Sequence, residues 1–121
     1  MKYSELTLHY FETAPGAGVL SGPDVCRGAA GDRGHGTWVQ FDLQVSSGII
    51  HAARFLAFAC PHTIAVSAWV AEHAGGPVSQ AALPGGVQDL SERFAVPAEK
   101  RGRLLIIEDA WAAAAGSALQ R

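Results

Sequence analysis

The sequence has no asparagine, one methionine and two cysteines, and only 17% of its residues are charged. Its net charge is −2, so it lacks the excess of lysine and arginine that a polyanion-binding module needs. Hydrophobic residues make up 49%, which disfavours a disordered chain. Long apolar runs are also missing. Stretches such as Leu104 to Ile107 and Ala110 to Ala115 fall far short of the roughly eighteen residues that span a bilayer, so neither a membrane nor a nucleic acid is an expected partner. The opening Met1-Lys2-Tyr3-Ser4-Glu5 has no basic region followed by an apolar run, so it does not read as a secretory signal, and a cytoplasmic location is expected. Cys26 and Cys60 lie 34 positions apart, and a chain with a sizeable core does not usually depend on one disulfide. Each cysteine is therefore weighed as a reactive or metal-binding thiol.

What is present fits one domain over residues 1–121, long enough to bury roughly two-thirds of its unfolded surface. Tyr3, Leu6 and Tyr10 predict a short helix over Met1 to Tyr10, ended by Pro15-Gly16. From Thr13 to Gly36 glycine and proline are dense, which predicts a loop whose backbone approaches other groups closely. Val39, Phe41, Leu43 and Val45 then alternate with polar residues, the pattern of a strand with one wet face. Ser46-Ser47-Gly48 predicts a turn, and Ile49 to Phe58 the second arm of an antiparallel hairpin. Pro61 opens a helix that carries Ile64, Ala68 and Ala71 on one face and stops at Gly75-Gly76, so Cys60 falls at or near its N-cap. Two helical pieces are expected at Pro77 to Leu83 and Val87 to Phe94, separated by Pro84-Gly85-Gly86. A last helix from Pro97 carries the stripe Leu104, Ile107, Trp111, Ala114, Ala118. Strands first and helices afterwards predict an α+β fold, with helices on one face of a small antiparallel sheet of about three strands.

His9-Tyr10, and then the run Gly48-Ile49-Ile50-His51-Ala52-Ala53-Arg54-Phe55-Leu56-Ala57-Phe58-Ala59-Cys60, resemble the IscU/NifU-type scaffolds of iron–sulfur cluster assembly. Those proteins carry His-Tyr near the start and Gly-x-Ile-x-x-Ala-Arg-Phe-x-x-Phe-Gly-Cys further on. The likeness continues through Ile64-Ala65-x-Ser67, Glu72, Pro97 and Glu108-Asp109-Ala110. It implies the scaffold fold and a cluster site of three cysteines, an aspartate and a histidine on three loops at one end of the sheet. The middle cysteine is Cys60. Counting back from Val45 without a gap sets His35-Gly36-Thr37 on the family's Cys-Gly-Asp, so His35 stands for the first cysteine and Thr37 for the aspartate. Another register sets Ala30-Gly31-Asp32 there, but it needs an insertion and supplies no cysteine. At the third loop Gly102 and Arg103 stand where the family has His-Cys.

A thiolate at a helix N-terminus is stabilised by free backbone N–H groups and the helix dipole, which makes Cys60 the leading candidate for metal or sulfur chemistry. A small buried hydrophobe is the alternative for such a cysteine. His35 can replace a thiolate on iron or zinc through neutral imidazole, or be a histidine of a flexible loop. His62, two residues beyond Cys60, is a third metal candidate if it bends back, and otherwise an exposed first-turn residue. Cys26 lies at no family ligand position. His9, His51 and His73 read as structural or solvent-facing. Lys100, Arg101 and Arg103 gather at the altered third loop, where positive charge repels a cation and attracts an anion or an acidic partner.

Iron–sulfur clusters take about four protein ligands, and one chain here offers two good ones. Holding a [2Fe-2S] cluster therefore needs His62 or Cys26, an outside thiol, or a homodimer in which each copy gives His35 and Cys60. The resemblance thus implies a scaffold-like role with iron or a [2Fe-2S] cluster as cargo, zinc as a substitute metal, and a cysteine desulfurase with a chaperone or acceptor apoprotein as partners. A module that docks those partners without carrying cargo is the second expectation. A small enzyme using Cys60 as a sulfur-carrying nucleophile is the third and least favoured, because no oxyanion or substrate pocket can be argued from the sequence.

Overall fold

The structure, a computed structural model, describes residues 3–78 and 83–119. The chain runs α1 (Glu5–Thr13), β1 (Val25–Asp32), β2 (Thr37–Ser46), β3 (Ile49–Phe58), α2 (Pro61–Glu72), β4 (Gly76–Pro77), α3 (Gly86–Arg93) and α4 (Gly102–Leu119). Short 3-10 turns occupy Arg33–His35 and Ala98–Lys100. The sheet is an antiparallel meander in the order β1-β2-β3-β4. The α+β class therefore holds, with four strands rather than three.

The additional full strand is β1, which lies in the stretch expected to be loop. Its glycines serve the packing of a helix on a strand. A Cβ at Gly28 would lie 2.1 Å from the backbone nitrogen of Ala114, so only glycine lets β1 and α4 come this close. The alanines Ala110, Ala114 and Ala115 provide the other half of that approach and are buried. β4 is only two residues long and pairs with Ile49 and Ile50 at the far edge of β3, so Pro77 extends the sheet instead of starting a helix. Most of the helical piece expected over Pro77 to Leu83 lies outside the described residues.

The hairpin is as the alternation requires. Ser47 and Gly48 both have positive φ, 54° and 74°, the two-residue turn whose twist suits antiparallel strands. Val39, Phe41 and Leu43 face the helices and are fully buried. The opposite face is wet except at Asp42, which is 1% exposed. Arg27 on β1 donates to both Asp42 carboxylate oxygens at 2.7 and 2.9 Å, and Gln40 and the Leu20 amide also donate to it. Desolvation raises the Asp42 pKa, but these donors outweigh it and hold the carboxyl below its ordinary value.

α4 lies across β1 and β2, while α2 lies over β3 and is itself covered by α1. This sandwiching buries α2 nearly all round, from His62 to Ala71, instead of on one stripe. α1 begins later than its pattern suggests because Ser4 is the N-cap, accepting from the Thr7 amide at 3.1 Å. Thr7 and Ser4 also donate to the Phe94 carbonyl, tying α1 to the end of α3. The last helix starts at Gly102, because Pro97 opens a one-turn 3-10 segment before it. Its stripe is as read: Leu104, Ile107, Trp111 and Ala114 are buried, with Ala118 packed beside them. No helix among the described residues is long and apolar enough to cross a membrane.

Candidate functional site

The β2–β3 register sets Trp38 opposite Phe58, so the turn before β2 and the Ala59-Cys60 junction after β3 lie at the same end of the sheet. The start of α4 reaches that end too: a Cβ at Gly31 would lie 3.0 Å from the Ile106 side chain. Three connections therefore converge there: Arg33 to Gly36, Ala59-Cys60, and Arg101 to Arg103.

Cys60 is the N-cap of α2, with extended backbone, Pro61 behind it and half-buried exposure. Its Sγ lies 3.4 Å from the Thr63 hydroxyl. Burial pushes the thiol up, yet hydrogen bonding to Thr63 and the positive charge of Arg103 outweigh this and leave it below its ordinary value. The cysteine is neither sealed in hydrocarbon nor disulfide-bonded. Arg103, which the resemblance sets at the position of the family's third cysteine, is thus a direct neighbour of the sulfur. Thr63 was not singled out; its place three residues after an N-cap was the available signal.

His35 ends the 3-10 turn between β1 and β2. Its side chain is 85% exposed, and its Nδ1 lies 3.3 Å from an Asp32 carboxylate oxygen. A carboxylate at Nδ1 favours the tautomer protonated there, which leaves the Nε2 lone pair free for a metal. Asp32, the acidic residue of the less favoured register, and His35, of the favoured one, meet at the same turn. Thr37 opens β2 and is buried, 5% exposed.

His62 does not lie on the surface. It is 2% exposed, its ring centroid is 4.6 Å from that of Tyr3, and its Nδ1 has no hydrogen-bond partner. Burial first, and then the charges of Lys100 and Arg103, depress its pKa and keep the ring neutral. Cys26 is buried in β1 opposite Leu43, on the face that carries the helices. Among the described residues, no group of three or more His, Cys, Asp or Glu is placed to hold a metal ion. The structure therefore puts Cys60 with Thr63 and Arg103, and His35 with Asp32, on neighbouring loops.

A family model described as the NifU-like N terminal domain matches residues 2–120. Among solved structures, the chain is similar to the crystal structure of a nitrogen-fixing NifU-like protein (N-terminal) from Brucella abortus. The TM-score is 0.58 at 20% identity, covering 96% of this chain and 83% of that one. A hypothetical protein solved at 2.3 Å is similar with a TM-score of 0.51 at 15% identity, covering 93% and 98%. These two likenesses concern the fold. Among curated proteins, none matches the chain. With the α+β meander, the cysteine-capped helix and a match over almost its whole length, the chain belongs to the NifU-like N-terminal domain family of iron–sulfur cluster assembly scaffolds.

Proposed function

We propose that this protein is a scaffold-like component of iron–sulfur assembly that contacts iron or a [2Fe-2S] cluster in transit through Cys60 and His35. The observation that carries this reading is Cys60 itself: a half-buried thiol at the N-cap of α2, beside Thr63 and Arg103, in a chain of this family. A thiolate is the form that binds metal or attacks sulfur. When a desulfurase persulfide is the donor, the Cys60 thiolate attacks its outer sulfur. The donor S–S bond breaks, the donor leaves as a thiolate, and Cys60 holds the persulfide. His35, with Nδ1 against Asp32, offers Nε2 as the second donor.

Two donors do not close a four-ligand site. The remaining positions are filled by a second copy of the chain, by a thiol of the delivering or accepting protein, or by water on a mononuclear ion. Zinc fits the same imidazole and thiolate donors. His62, buried and turned to Tyr3, joins only if the N-terminal segment moves. Both thiols are free, which suits a reducing cytoplasm. The role is that of a carrier and docking surface for a cysteine desulfurase and an acceptor or chaperone, not of an enzyme.

The test is the iron and acid-labile sulfide content, with the visible spectrum, of protein purified without oxygen. Wild type is expected to hold iron that Cys60→Ser loses and His35→Ala weakens. A specific observation favours one other reading, a docking module without cargo: Arg103 sets a guanidinium beside Cys60, the less buried of the two thiols, where it opposes a cation. Colourless, metal-free wild type that still binds a desulfurase would select that reading.

A further inference from the structure

The exposed side of α3 faces the residue before α4 across an open cleft of about 440 Å³, lined by Val87, Gln88, Ser91, Glu92 and Arg101. The volume lies in the range of small-molecule sites. Its chemistry is specific in three respects. Glu92 and Arg101 line the same cleft with opposite charges but do not pair, and neither forms a salt bridge among the described residues. Glu92 accepts only a long bond from Gln88, 3.4 Å, one turn earlier on the same helix. Ser91, which also lines the cleft, is 5% exposed and buries a hydroxyl that has no partner. Buried hydroxyls are normally satisfied, so this one, on a residue that lines the cleft, is a group for a ligand to complete.

We infer that this cleft binds a free α-amino acid. The planar Arg101 guanidinium takes the carboxylate as a fork, Glu92 takes the ammonium, Ser91 and Gln88 add neutral hydrogen bonds, and Val87 supports the first carbons of the side chain. Opposite charges held apart in one cleft select a ligand that carries both, because a singly charged molecule leaves one of them without a partner. Arg101 sits on the third connection, but none of the five lining residues is among the groups that act on the Cys60 thiol, so this inference does not depend on the metal or sulfur reading.

The experiment is an NMR titration of the ¹⁵N-labelled full chain with L-alanine and L-glutamine up to about 10 mM, with propionate and ethylamine as single-charge controls. Saturable shifts are expected at the amides of Gln88, Ser91, Glu92 and Arg101. Propionate and ethylamine should bind at least about tenfold more weakly, and Arg101→Gln and Glu92→Gln should each lose about tenfold or more for the amino acids. Circular dichroism checks that both variants fold, and Cys60→Ser should bind like wild type. The proposal is overturned by the absence of saturable shifts with either amino acid, by equal binding of propionate or ethylamine, or by undiminished binding in both charge variants.

Discussion

At the scale of single residues, Cys60 is governed by opposing effects. Burial disfavours its thiolate, while Thr63 and Arg103 favour it and prevail. The pH dependence of alkylation should therefore place its midpoint below that of an ordinary cysteine, and Arg103→Gln should move it upward. A midpoint unchanged by that substitution would remove Arg103 from the site. Cys26, buried against the helices, should stay unmodified until the chain unfolds. Cys60 was legible because Pro61 marks a helix start just after it and the run through Arg54-Phe55 resembles the family's. Its neighbour Arg103 lies 43 positions later; the family register sets it on the third loop of the site, but its effect on the thiol is visible only once α4 is packed.

Asp42 is the other residue with a sharp consequence. Its folded pKa lies below the unfolded value, so its contribution to stability is complete above the ordinary carboxylate range and is lost as pH falls through the folded value. Asp42→Asn should destabilise by about 2 kcal/mol at neutral pH and much less in acid, read as the urea midpoint at each pH. A cost independent of pH would show that the ion pair with Arg27 is not its source. The period-two pattern marked Asp42 as solvent-facing. It is buried because the segment after α1 crosses that face and Leu20 closes on it, a long-range event that a local alternation does not record.

At the scale of elements, the contact between β1 and α4 rests on Gly28. Gly28→Ala forces a methyl into the α4 backbone and should cost roughly 3 kcal/mol or leave the protein unfolded, measured by denaturant unfolding. Gly36→Ala meets open space, and its strain comes only from its positive φ of 84°, so it should cost about 1 kcal/mol. Equal costs at the two sites would contradict the close-approach account. The β2–β3 hairpin and the α4 stripe were legible because their periods repeat over several residues. β1 was not, since Gly28 and Gly31 look like turn residues until their partners, Ala114 and the Thr37 carbonyl, are known. β4 has two residues and no pattern to read.

At the scale of the whole molecule, the meander and the two helix starts bring three connections to one end of the sheet, and that convergence makes this end the candidate site. The family and the position of Cys60 were readable from one run of residues across a strand, a turn and a helix start. The arrangement of the candidate donors was not, because His35 lies against Asp32 on its own turn and His62 packs against Tyr3, contacts that sequence spacing does not fix. If His62 becomes a donor only when Tyr3 moves, then Tyr3→Ala should expose its ring and raise its pKa toward the ordinary value, observable by NMR titration.

The most direct test of the central claim is X-ray absorption at the iron edge, on protein loaded with one equivalent of iron without oxygen. The account predicts a sulfur scatterer that disappears in Cys60→Ser and an imidazole pattern that disappears in His35→Ala. An iron spectrum identical in wild type and Cys60→Ser would contradict it.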